Sequence, residues 1–259
     1  MIDEALETDA VARLPGGELP YVLRRSPRSR GLRVTIDPER GVVVSIPMVR
    51  RGWTRPESLV HDFLARREPW IRRHLERQQA LRARLDSRPG LDDGRLVSYL
   101  GLPHRVVVLP APPGIRASRV SRVGGDTGDE LHVERTARDA RPTAVILDAW
   151  FRRRARVALL AAIDRHAPAL GVTPARVTIR DTTSRWGSCS RSGALSFSWR
   201  LVLAPPPILD SVAAHELCHL RVFGHGPRFR SLLASRIPDH VERRRWLRKH
   251  SAELHAALD

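Results

Sequence analysis

The pentapeptide His215-Glu216-Leu217-Cys218-His219 constrains the fold of this chain more tightly than any other stretch. Two histidines separated by three residues converge on one point from a helix, where each residue turns the chain by about 100° and positions i and i+4 share a face. Glu216, next to the first histidine, then lies beside the same point. This is the HExxH pattern of zinc sites, in which both imidazoles ligate the ion and the carboxylate moves protons. The surroundings agree with a helix. Val212, Ala213, Leu217 and Leu220 can anchor it in a core, and Pro205-Pro206-Pro207 ends whatever precedes it. The pattern predicts a helix over 209–220 with Asp210 or Ser211 near its start.

A catalytic zinc site needs a third protein ligand and one open position. His225 is the candidate, with Asp239 or Glu242 as an acidic rival. An unbroken helix would rotate His225 away from the metal face, so the helix must end, and Gly224 and Gly226 supply the freedom to turn back. The spacing matches the metzincin pattern, yet Val222 stands where that pattern has glycine. The methionines are Met1 and Met48, so no Met-turn can follow the motif.

The rest of the chain predicts an α+β protein. Residues 1–19 read as a flexible acidic leader. Tyr21-Val22-Leu23, the alternating Leu32, Val34 and Ile36, and Val42 to Ile46 beyond a turn at 37–41 predict strands of a small sheet. Residues 57–84 have the spacing of an amphipathic helix, and 96–109 are strand-like. Residues 20–140 then form an N-terminal α/β region, with an exposed Pro/Gly/Ser-rich loop near 110–129 marking the softest boundary. Residues 141–259 form the second region: a long helix over 142–169 ended by Gly171, strands over 177–180 and 194–203, the motif helix, and further helices over 228–237 and 240–258. Trp53, Trp70, Trp150 and Trp246 are expected to pack in cores.

Four segments resemble one known family. Arg185-Trp186-Gly187-Ser188-Cys189, the strand Leu195-Ser196-Phe197-Ser198-Trp199-Arg200-Leu201, the HExxH pentapeptide and Gly224-His225-Gly226-Pro227-Arg228-Phe229 are together similar to the YgjP-like zinc metallopeptidases, relatives of the SprT-like zincin proteases. The likeness is strongest over 176–232 and extends back to Tyr21. It implies a zincin-like fold, with the HExxH helix beside a small antiparallel sheet and a β-hairpin and helix region before it. It also implies three histidine ligands, His215, His219 and His225, a bound Zn2+, and hydrolysis of peptide or other amide bonds. On that basis Glu216 is the general base, and the strand carrying Ser196 to Trp199 is expected to offer an edge to an extended peptide. Arg185, Trp186, Ser188 and Ser198 are candidate substrate-binding residues; the alternative for 185–189 is a structural hairpin tip with Trp186 as core. Oxyanion stabilisation falls to Arg185, His240 or the metal itself, because Tyr21 and Tyr99 lie in the first half.

Composition narrows the partners. The formal net charge is +17, and Lys249 is the lone lysine among 45 basic residues, an arginine skew that weakens any inference from charge alone. Such a chain still attracts polyanions through phosphate neutralisation. Non-specific nucleic acid is therefore a possible partner beside a peptide or protein substrate, with Arg152-Arg153-Arg154 and Arg243-Arg244-Arg245 as patches or as solvated helix faces. The alternative function is a nucleic-acid-associated SprT-like protease, or a DNA- or RNA-binding module whose zinc is structural and takes Cys189 as fourth ligand. No run is long and apolar enough to span a bilayer, no secretory leader is evident, and two cysteines cannot build a disulfide framework. A cytoplasmic protein without a membrane partner is expected, and oligomeric state has no sequence signal.

Overall fold

The computed structural model describes residues 6–27, 29–37, 40–48, 57–125, 128–182 and 185–259. The chain divides into two compact units, Met1–Ser87 and Arg88–Asp259. Both mix helices with small sheets, so the α+β expectation holds, but the sheet of residues 176–198, expected to be antiparallel, is mixed, because residues 194–198 pair antiparallel with 187–189 and parallel with 176–180. No helix among the described residues is long and apolar enough to cross a membrane.

The first unit begins with β1 (Leu6–Leu14) and β2 (Gly17–Ser26), followed by β3 (Arg33–Asp37) and β4 (Gly41–Pro47). Their order is β1-β2-β4-β3, with β2 and β4 parallel and the other pairs antiparallel. A helix, α1 (Glu57–Asp86), buries Val60, Leu64 and Ile71 in the same core as Leu14, Tyr21, Val44 and Ile46. Much of the stretch read as a flexible leader is thus a paired strand. Its acidic residues conceal a period of two: Ala12 and Leu14 point inward, while Glu7 is paired by Arg40 at 2.8 Å and Arg24 at 3.6 Å. Trp53 lies outside the described residues.

The second unit opens with β5 (Leu96–Tyr99), β6 (Leu102–Pro110), β7 (Arg119–Gly125) and β8 (Gly128–Arg135), in the order β5-β6-β8-β7. Here the structure departs from the expected boundary. The Pro/Gly/Ser-rich segment near 110–129 is internal to one sheet, because β6 pairs in parallel with β8 and β7 completes a hairpin against β8. Val106, Leu131 and Val133 share a core with the helix α2 (Thr143–Leu170), which merges the sequence regions on either side of residue 140. Apolar continuity outweighs the turn-rich composition.

Helix α2 presents Leu147, Phe151, Ala155, Leu159 and Ala162 along one buried stripe. It ends as expected at Gly171, whose φ of 62° is left-handed. Three strands follow, β9 (Arg176–Arg180), β10 (Gly187–Cys189) and β11 (Ala194–Ser198), ordered β10-β11-β9. The strand expected over 194–203 stops at Ser198, and Trp199–Leu203 turn as a 3-10 helix. Trp199, Leu201, Val202 and Leu203 are all buried, so the alternation that suggested a longer strand is not sustained. The ring of Trp199 stacks on Phe151 with centroids 5.6 Å apart.

The motif helix α3 (Pro206–His219) starts earlier than the sequence suggests. The proline run is its first turn, where a missing N–H costs nothing. Asp210 lies inside the helix and accepts from Arg165 at 2.6 Å, with His166 at 2.9 Å, which ties α3 to α2. Two further helices, α4 (Pro227–Arg236) and α5 (His240–His255), complete the unit.

Candidate metal centre

Helix α3 buries Ile208, Leu209, Ala213, Ala214, Leu217 and Cys218, which leaves His215 and His219 on its one partly open face. The helix stops at His219. Gly224, at φ +83°, lets the chain turn where a side chain would be strained, and Pro227 starts α4 immediately after. This return brings His225 back. Its Nε2 lies 3.1 Å from Nε2 of His215 and 3.2 Å from Nε2 of His219, and those two are 3.2 Å apart.

Three ring nitrogens facing one another at this spacing fit a metal ion. Metal–nitrogen bonds of about 2.0–2.1 Å in tetrahedral geometry require ligand nitrogens about 3.3 Å apart. Among the described residues, these three histidines are the one group of His, Cys, Asp and Glu side chains so gathered. The tautomers agree with that fit. His219 Nδ1 lies 3.2 Å from the carbonyl oxygen of Val222, an acceptor, so Nδ1 carries the proton and Nε2 keeps its lone pair. Burial, aided by the other histidines and by Arg244 and His240, pulls His215 down to about 4, and burial also lowers His219. Neutral imidazoles are the ligating form.

The rivals fall away from this point. Asp239 is held by Arg243 at 2.9 Å, and neither it nor Glu242 belongs to the three-histidine group. Cys189 is also outside that group; its thiol donates to the Ser190 carbonyl at 3.4 Å, and burial raises its pKa.

Glu216 is buried against the sheet. A Cβ on Gly187 of β10 would stand 2.6 Å from its Oε1, so only a glycine lets the strand come this close. Burial pushes the Glu216 carboxyl up to about 7, while the Arg185 guanidinium works in the opposite direction. A carboxyl in that range can both accept and release a proton near neutrality.

Beside the histidines lies a cleft of about 360 Å³. His215, Glu216 and His225 stand in its wall with Trp186, Phe229 and Arg244. The four substrate-binding candidates separate. Trp186 lines the cleft and stacks on His255 at 4.7 Å; Arg185 and Ser188 line a neighbouring groove. Ser198 is fully buried and accepts from the Arg200 amide at 3.4 Å, so it serves as a cap and does not face substrate. The strand expected to offer a free edge does not have one, because β11 lies between β10 and β9.

A family model described as YgjP-like, metallopeptidase domain, matches residues 30–250. The chain belongs to the YgjP-like metallopeptidase family. No curated protein and no solved structure gives a match. Membership makes a metal-dependent hydrolase the family-level expectation for the three-histidine centre.

Sequence reasoning gave no role to two residues of this YgjP-like site. Phe229 is buried beneath the histidines, its ring centroid 4.3 Å from His219 and 4.9 Å from both His215 and His225. Arg244 reads in sequence as part of a basic run, yet it faces the cleft with His240, Val241 and Leu247 from one side of α5. The i, i+4, i+7 spacing of His240, Arg244 and Leu247 is the signal that could have found it.

Proposed function

We propose that this chain is a zinc-dependent metallopeptidase of zincin-like architecture, with His215, His219 and His225 as metal ligands and Glu216 as general base. The observation that carries the reading is the convergence of three imidazole nitrogens within 3.2 Å of one another beside a buried carboxylate in an open cleft. A zinc ion held there would acidify a water molecule and polarise a substrate carbonyl. Glu216 accepts the proton of the attacking water on a carboxylate oxygen and passes it to the leaving amine. Trp186 and Phe229 keep the reacting region apolar and strengthen the charge interactions within it. His240 Nδ1 lies 3.1 Å from the Ile237 carbonyl, so its neutral ring has no proton on Nε2 and can serve an oxyanion only as imidazolium. An extended peptide would add to β10, which has one unpaired edge among the described residues and lies beside Glu216.

Metal analysis of the wild type, Glu216→Gln and His225→Ala, run beside cleavage of quenched peptides, tests this reading. One zinc per chain is expected in the first two and loss in the third, with cleavage by the wild type alone. Cleavage that survives Glu216→Gln, or zinc retained in full by His225→Ala, overturns it.

A second reading concerns a partner. A groove of about 630 Å³ is lined by Arg152, Arg153 and Arg156 of α2 and by Arg176 of β9, favouring non-specific polyanion contact as in a nucleic-acid-associated protease. Single-stranded DNA should then bind more weakly as salt rises. Binding that does not respond to salt removes this reading and leaves the hydrolase reading intact.

A further inference from the structure

Six of the side chains lining the cleft, Trp186, Val212, Phe229, Leu233, Val241 and Leu247, are apolar. Its charge is one-sided. Arg230 of α4 and Arg244 of α5 both line it, whereas Glu216, committed to proton transfer, is the one carboxylate there. Neither guanidinium group has an ion-pair or hydrogen-bond partner among the described residues. The neighbouring Arg243 differs in this respect, since Asp239 holds it at 2.9 Å and it donates to the Pro207 carbonyl at 2.9 Å. A partly enclosed apolar cleft with two exposed guanidinium groups free of a protein counter-ion recognises an anion attached to an apolar group, and the planar guanidinium matches a carboxylate in two-point contact.

Resting on the metallopeptidase reading above, we infer that Arg244, assisted by Arg230, selects peptide substrates bearing a carboxylate next to an apolar residue near the scissile bond. The carboxylate has two sources. It is either the substrate's own C-terminus, making the enzyme an exopeptidase, or an Asp or Glu side chain within a longer chain. Arg244 is here a specificity residue that binds substrate and leaves the proton transfers of Glu216 untouched.

Three peptides of one apolar sequence separate these cases: a free C-terminal acid, its amide, and the amide with a glutamate beside the apolar residue. For the wild type, kcat/KM should favour at least one carboxylate peptide over the neutral amide by about tenfold, equivalent to ~1.4 kcal/mol. In Arg244→Gln the preference should vanish, mainly through KM, and Arg244→Lys should restore part of it. Preference for the free acid alone assigns the C-terminus, preference for the glutamate peptide alone assigns the side chain, and preference for both means that either carboxylate is accepted. The same peptides, labelled and titrated onto Glu216→Gln protein with and without Arg244→Gln, report binding without turnover. Carboxylate-dependent binding that requires Arg244, with no cleavage by the wild type, keeps this inference and defeats the peptidase reading. Cleavage of all three at equal rates, a preference that survives Arg244→Gln, or no binding of any peptide overturns the inference.

Discussion

Replacing Gly187 by alanine tests how the sheet positions Glu216, the proposed general base. The added Cβ would lie 2.6 Å from Oε1, 2.7 Å from Cγ and 2.9 Å from Cδ of Glu216, where ordinary contact begins at 3.4 Å. The clash involves the stem of the side chain as well as its tip, so rotation of the carboxylate alone cannot relieve it. The Cγ must retreat by roughly 0.7 Å, the difference between 2.7 and 3.4 Å, and a misplacement near 1 Å can cost about 100-fold in rate. Gly187 pairs opposite Phe197 in a regular antiparallel register, so alanine is compatible with its backbone. Gly187→Ala should therefore lower kcat by about 10- to 100-fold on any peptide the wild type cleaves. Overpacking should cost about 1–3 kcal/mol, lowering Tm by a few degrees. Metal content should stay at the wild-type level, because the three atoms nearest the new methyl group all belong to Glu216 and none to the histidines. The assay is steady-state cleavage with metal analysis and thermal unfolding on the same samples. A variant with wild-type kcat would refute the reasoning that contact with β10 fixes the position of Glu216.

Phe229→Leu keeps an apolar side chain but removes the ring beneath the three imidazoles. It should weaken metal affinity by about tenfold in competition with a chromophoric chelator, and unchanged affinity would count against an orienting role. Trp199→Ala, at a fully buried site stacked on Phe151, should cost about 3–5 kcal/mol in denaturant unfolding; a loss under 1 kcal/mol would mean that this core collapses around the gap. Burial works to raise Asp181, but Arg200 at 3.0 Å and Arg152 at 3.6 Å outweigh it and hold the carboxyl below its ordinary value. A depressed folded-state pKa contributes stability above the unfolded value of about 3.9 and loses it as pH falls through the folded value. Asp181→Asn in metal-free protein should accordingly show a shallower fall of Tm below about pH 4 than the wild type, and parallel curves would contradict it.

Sequence alone determined which side chains gather at the centre of this molecule and little of the geometry around them. Ligand spacing within a helix is local, fixed by about 3.6 residues per turn, so His215, Glu216 and His219 could be read as one group directly. Gly224 announced the turn that brings back His225, because positive φ is a property of the residue itself. Strand 6–14 was hidden by its charges, since Glu7 finds its partners Arg24 and Arg40 only after the sheet forms. The Pro/Gly/Ser-rich stretch looked like a boundary because turn residues are local signals, whereas the parallel pairing of β6 with β8 joins residues distant in sequence. Strand order is of the same kind: nothing in residues 194–198 states that β10 and β9 will flank them on both sides. The surroundings of Glu216 were decided in the same way. That Gly187 must be small, that Phe229 lies beneath three histidines and that Arg244 faces a cleft are outcomes of packing between separate elements. Such contacts depend on the shape of the assembled core, and no local sequence period encodes them.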